Sequence, residues 1–136
     1  MSGPDDRQVQ HTPAARLLGR EILSSDAATG EVKLRFIAKP EFANRHGTVQ
    51  GGFLAAMLDS AAGMAVMLSL PPEQTAVTTR LDVSYLKPAS IGPLHATSRI
   101  VRRDARSADV EASLTNESGL VVATAKAELR IVVRKA

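Results

Sequence analysis

The feature that most constrains this chain is an eighteen-residue apolar run, Phe53 to Leu70, interrupted by a single carboxylate, Asp59. The run is too long for a strand, and its Ala, Met and Leu content favours a helix. Gly51-Gly52 precedes it and Pro71-Pro72 closes it. Apolar residues lie all round rather than along one stripe, the pattern of a helix covered on most sides. A membrane span is the competing reading at this length. It is set aside because Asp59 and Gly63 interrupt the run, no aromatic belt flanks it, and the rest of the chain alternates like strands of a water-soluble domain.

That alternation begins at Glu31. Val32, Leu34 and Phe36 share one face, with Lys33 and Arg35 on the other, until Pro40 stops the pattern. Four more strand-like runs follow the two prolines. In the first, Val77, Thr79, Leu81, Val83 and Tyr85 alternate with Thr78, Arg80, Asp82 and Ser84. The second runs from Leu94 to about Arg102. The third places Ala108, Val110, Ala112 and Leu114 on one face. Asn116-Glu117-Ser118-Gly119 reads as a turn into the fourth, about Leu120 to Val133, in which Val121, Ala123, Ala125, Ala127, Leu129 and Ile131 share a face. Those small side chains leave room for a helix. The layout is α+β, one antiparallel sheet covering one long helix. One curved sheet leaves edges and an apolar flank, so self-association is expected.

At 136 residues and 44% hydrophobic the chain supports one core, not two. Met1 to Thr12 is polar and read as a loose segment. Pro13 to Leu18 reads as a short helix, proline first and Gly19 after, opening a single domain over 13–136. The opening segment contains acids and no apolar core, so it is not read as a secretory signal, and a cytoplasmic location is the expectation. With no cysteine there is no disulfide framework, thiolate nucleophile or cysteine metal site. A net charge of +3, with basic residues in pairs rather than tracts, one Tyr, three Phe and no Trp, does not describe a nucleic-acid partner.

Asp59 is the candidate chemical centre. Burying an unpaired carboxylate costs several kcal/mol, on the scale of a domain's whole stability, and no Lys or Arg lies between Arg45 and Arg80 to pair with it. It is a general base or nucleophile, or it marks where the helix meets solvent. Gly51 and Gly52 stand where unpaired N–H groups and the positive end of the helix dipole can hold a polarised carbonyl, or they form a simple turn. They lie eight residues from Asp59, ~12 Å along a helix at about 1.5 Å per residue. That is far for one small site, so either the substrate bridges it or two subunits contribute. Asn44, His46 and Gln50 are the polar groups of the preceding loop. His46 has no second histidine at ligand spacing, and no metal or cofactor is expected. Thr78 can orient a carboxylate or a water, or be an ordinary strand threonine. Arg102, Arg103 and Arg106 form a basic group between two strands, either a solvated turn or anchors for phosphates.

The stretch from Asn44 through Gln50-Gly51-Gly52 to Asp59 resembles the central motif of hot-dog thioesterases of the phenylacetate-pathway (PaaI-like) branch of the 4-hydroxybenzoyl-CoA thioesterase superfamily. The similarity extends from about Leu17 to Val133. It implies a hot-dog fold, a long central helix wrapped by a five- to six-stranded antiparallel sheet. It also implies hydrolysis of an acyl-CoA at the interface of a homodimer, with dimers pairing again. On that resemblance Asp59 is the base or nucleophile, the Gly51 N–H of the other subunit polarises the carbonyl, and Asn44 and Thr78 help hold the water or the carboxylate. With an acyl-CoA as substrate, the phosphate-anchor reading of Arg102, Arg103 and Arg106 makes them candidate CoA contacts, and Gly52 is a candidate substrate contact beside Gly51. Many relatives have His where this chain has Gln50, and a Gln amide can donate to a carbonyl but cannot titrate. That departure motivates a second expectation, a non-catalytic acyl-CoA binding or sensing protein. A hydratase or dehydratase on the same fold would need a His paired with an acid, which this loop does not clearly supply.

Overall fold

A computed structural model of the protein describes residues 12–134. Residues 1–11, where the loose segment was expected, lie outside them. In chain order the elements are α1 (Pro13–Leu17), β1 (Glu21–Asp26), β2 (Glu31–Ala38), a single 3-10 turn (Pro40–Phe42), α2 (Gly51–Met67), β3 (Gln74–Tyr85), β4 (Gly92–Arg103), β5 (Ser107–Thr115) and β6 (Val121–Val133). The strands make one antiparallel sheet in the order β1-β2-β4-β5-β6-β3, and α2 packs against its inner face. This is the hot-dog arrangement, with six strands.

The inner face follows from the period-two pattern. Val32, Leu34 and Phe36 of β2, Leu94 and Ala96 of β4, and Ala108, Val110, Ala112 and Leu114 of β5 are all buried. On β6 the alanines 123, 125 and 127 are buried and small, so the helix can lie close to the sheet. Against them α2 buries Leu54, Met57, Leu58, Ala61, Ala62, Ala65 and Val66. Among the described residues one polar side chain sits in this core. Ser98 is fully buried on β4 and donates its Oγ–H to the Ala61 carbonyl at 2.7 Å, which satisfies the hydroxyl and ties sheet to helix.

The structure corrects four expectations. α2 starts at Gly51 rather than Phe53 and ends at Met67, with Leu68 to Leu70 in a tightened turn. β1 has no counterpart in the sequence reading: it is a mostly exposed edge strand whose bulge between Ile22 and Ser24 breaks any alternation. Val121 does not join the buried face of β6, because the register shifts between Leu114 and Thr115 of its neighbour and buries Val122 instead. Most consequentially, a bulge between Thr78 and Arg80 reverses the faces of β3. Thr78 pairs with Leu129 and Leu81 with Ala127, so Thr78 shares the helix-facing side with Leu81, Val83 and Tyr85 instead of the outer side with Asp82.

Candidate functional site

The site is organised by the entry into α2. Asn44 ties the preceding loop: its Oδ1 accepts from the backbone N–H of His46 at 2.9 Å and of Thr48 at 3.2 Å, and its Nδ2 donates to Thr48 Oγ1 at 3.0 Å. Gly47 takes a positive φ of 82° at the tip of this loop, a conformation that costs a residue with a Cβ about 1–2 kcal/mol. The returning strand is fastened by the Val49 N–H to the Ala89 carbonyl and the Gln50 N–H to the Phe42 carbonyl. The rings of Phe42 and Phe53 stack with centroids 4.0 Å apart, fixing the angle at which the chain enters the helix. His46 stays exposed on the loop, and the Gln50 side chain, at the N-cap, makes no capping bond.

Gly51 and Gly52 are therefore the first two residues of α2, not a turn before it. The Gln50 carbonyl takes the N–H groups of Phe53 and Leu54. Among the described residues nothing accepts from the N–H of Gly51 or Gly52. Two orphan donors at the positive end of a seventeen-residue helix form a ready receptor for a carbonyl oxygen or an oxyanion.

Two turns along, Asp59 is half-buried rather than enclosed. It lies on the open side of α2, the side that also carries Gly52, Ala56 and Gly63, because the sheet stops at β3 and covers the helix no further. Its partner is Thr78, whose Oγ1–H donates to Asp59 Oδ1 at 2.7 Å, a short charge-assisted bond. The bulge makes this contact, re-aiming a threonine that strict alternation would point outward.

The arginine group is arranged differently from a simple cluster. Arg102 and Arg103 end β4 and Arg106 lies in the turn. The Arg102 fork is taken up by Asp109 at 2.7 Å, Asp104 at 2.9 Å and Ser107 at 2.9 Å, and the bonds to Asp109 and then Asp104 raise its pKa above the ordinary guanidinium value. Asp104 is pushed down to about 2, chiefly by the Arg106 N–H and then by Arg102. Arg103 donates to Ser69 Oγ at 2.6 Å, beyond the C-terminal end of α2 from Gly51. The Arg106 guanidinium has no partner among the described residues.

Two contacts were not legible in the sequence. Tyr85 Oη donates to the Gly51 carbonyl at 2.9 Å from the end of β3. Arg20, half-buried between α1 and β1, reaches Ser60 Oγ at 3.0 Å, and desolvation lowers its pKa. Spacing alone gives no signal for either, since the partners are 34 and 40 residues apart.

Comparison with known proteins decides the family. The model of the Thioesterase superfamily matches residues 46–123, a span that includes the α2 entry, Asp59, Thr78 and Tyr85. The chain belongs to that superfamily. As a member it is a thioester hydrolase. Its solved relatives include a phenylacetic acid degradation-related protein of Ralstonia eutropha JMP134, 33% identical, with a TM-score of 0.86 over 92% of this chain and 96% of that one. Human acyl-coenzyme A thioesterase 13 is 29% identical over 104 residues, 76% of this chain and 73% of its own length. A protein of Halobacterium salinarum bearing an esterase name is 40% identical over 82 residues; that match spans 57% of this chain and 54% of the Halobacterium protein. Among the described residues no helix is long and apolar enough to cross a membrane.

Proposed function

We propose that this protein hydrolyses an acyl-CoA thioester to the free acid and CoA, in a homodimer whose two sites each combine Asp59 of one subunit with the α2 N-terminus of the other. The observation that carries this reading is the 2.7 Å Thr78–Asp59 hydrogen bond on the open face of a helix whose first two N–H groups are free. A carboxylate held by one oxygen keeps the other for a water or for the thioester carbon. The ~12 Å between Gly51 and Asp59 along one helix exceeds the reach of a single carbonyl carbon and its oxygen, so a second copy supplies the missing half. Support for that copy comes from β3, a twelve-residue edge strand whose outer side has no neighbouring strand among the described residues and can add to a second β3.

In this site the carbonyl oxygen lies against the N–H of Gly51, with Gly52 beside it, and the developing oxyanion is held there. Asp59 takes a proton from water as the hydroxide adds to the carbonyl carbon, or attacks that carbon itself to give an anhydride that water then opens. In both routes the C–S bond breaks and CoA leaves as the thiol. Thr78 fixes the carboxylate, Asn44 shapes the loop, and Gln50 stands at the carbonyl as a neutral donor, with His46 further out. Arg103 and Arg106 bind the CoA phosphates in this reading, with Arg102 holding their turn in shape. The acyl-CoA substrate agrees with the name of the human relative, and the Ralstonia protein's name suggests aryl-acetyl esters for the first panel. The cytoplasm is the proposed compartment.

A thiol-release assay on aromatic, short and long acyl-CoAs tests the reaction, with Asp59→Ala expected to abolish release. Tight binding of every ester with no release from any would favour the binding protein that Gln50 motivates. Single turnover in heavy-oxygen water separates the routes, since label entering Asp59 marks the anhydride. Mixing Asp59→Asn with Gly51→Pro, which deletes one N–H at the first helical position and crowds the Tyr85 ring, so that its damage stays at the α2 N-terminus, tests the shared site. Random exchange should restore about a quarter of wild-type activity, because half the dimers gain one intact site; no recovery would place both groups in one subunit.

A further inference from the structure

Among the described residues β3 makes three side-chain hydrogen bonds to α2; Thr75 Oγ1 donates to Met67 Sδ at 3.4 Å, and the other two fall on groups the proposed reaction uses. Thr78 holds Asp59, and Tyr85 holds the carbonyl of Gly51 at 2.9 Å. The Tyr85 ring also lies against the Cα of Gly51: a Cβ added there would meet Cε1 at 3.2 Å and Cζ at 3.3 Å. Gly51 and Tyr85 are a fitted pair, and a side chain at 51 would displace the ring that makes the bond. Gly52 differs, since a Cβ there meets nothing within 4 Å.

The Gly51 carbonyl and the Gly52 N–H belong to one peptide group. A hydrogen bond accepted at the oxygen polarises the N–H at the other end. It also steadies a turn that is short of bonds, because the first N–H groups of a helix have no partner of their own and here no side chain caps them. The phenol uses the second lone pair of a carbonyl whose first serves the helix ladder.

We propose that Tyr85 is a positioning residue for the carbonyl-binding end of the site. It holds the Gly51–Gly52 peptide so that both free N–H groups converge on the thioester oxygen, and it strengthens Gly52 as the second donor. This rests on reading the α2 N-terminus as the element that polarises the carbonyl. No proton or bond is exchanged with the phenol.

Tyr85→Phe keeps the ring, removes the hydroxyl and alters a side chain that is 54% exposed, so folding should be spared. The expected result with phenylacetyl-CoA or hexanoyl-CoA is a fall in kcat of about three- to tenfold, the scale of one hydrogen bond of ordinary net strength. Affinity for S-hexyl-CoA, a thioether with no carbonyl oxygen, should not change. The infrared carbonyl band of 13C-labelled phenylacetyl-CoA bound to Asp59→Asn should lie below that of the free ester, and Tyr85→Phe in that background should move it part of the way back. An unmoved band with unchanged kcat overturns the proposal. So does a joint fall in kcat, thioether affinity and thermal midpoint, which describes a structural prop. Wild type that releases CoA from none of the esters removes the carbonyl-binding reading and this inference with it. Active wild type with a band indifferent to Tyr85 removes the inference alone.

Discussion

Gly63 gives the sharpest test of what the open side of α2 is for. It is a helix-interior residue one turn beyond Asp59, and a Cβ built on it meets nothing within 4 Å. Glycine at such a position costs about 0.8–1 kcal/mol relative to alanine, so within one chain Gly63→Ala should stabilise the fold by about 1 kcal/mol, a factor of roughly five in the folding constant. If a second copy packs closely on this face, the added methyl overpacks that contact at about 1–3 kcal/mol. A two-fold interface counts the change twice, about 2–6 kcal/mol per dimer, or at least about thirtyfold in the dissociation constant. Sedimentation across a dilution series reads the association, and urea unfolding below the dissociation midpoint reads the chain. The expected pair of results is a more stable chain and a weaker dimer. A more stable chain with undiminished association would refute the idea that the open face of α2 meets a second copy.

Thr78→Val should leave the thermal midpoint nearly unchanged, since the position is exposed, and lower kcat in thiol release by about tenfold or more, the scale of a hydrogen bond to a charged group. Ser98→Ala should destabilise by about 1 kcal/mol, seen in calorimetry as a midpoint a few degrees lower, because the buried hydroxyl bonds the Ala61 carbonyl. An unchanged midpoint there would show that this sheet-to-helix tie contributes nothing net. Asp104 has a folded pKa of about 2 against an ordinary 3.8, so the stability it adds is fully present above about pH 4 and is lost as pH falls through 2. Thermal melts of wild type and Asp104→Asn should accordingly converge between those pH values, and parallel curves down to pH 2 would refute the assignment.

Residues that face one buried layer announced themselves. Phe36, Leu114 and Leu129 obey strict alternation because every second residue of their strands must meet the helix, and α2 was visible because so long an apolar run has no other stable form. β1 was silent for the opposite reason: it is an edge, its residues face water on most sides, and its bulge removes the period. Thr78 was placed on the wrong face because one extra residue in β3 inverts everything before it, and no local composition signals that insertion. Asp59 stood out as a lone charge, but its half-exposure depends on where a sheet built from distant segments ends. Tyr85 and Arg20 meet their partners only after the chain has closed, so neither contact is written in any spacing.

The strand order also sets a sequence of events in time. β1–β2 and β4–β5–β6 are hairpins joined by short turns, pairings the chain can find locally. β2 must instead find β4 across the whole of α2 and β3, with Ala38 opposite Gly92, and β3 must find β6 across two other strands, with Gln74 opposite Val133. Loop closure makes such distant pairings slow, so the β4–β5–β6 meander should collapse first, the helix should become stable only once it has a surface to cover, and β3 should dock last. Conservative substitutions such as Val110→Ala should then slow folding, whereas Val83→Ala should mainly speed unfolding. The strand that orients Asp59 and Gly51 would be the final piece in place, and a chain caught partway would carry the residues of the site without its chemistry.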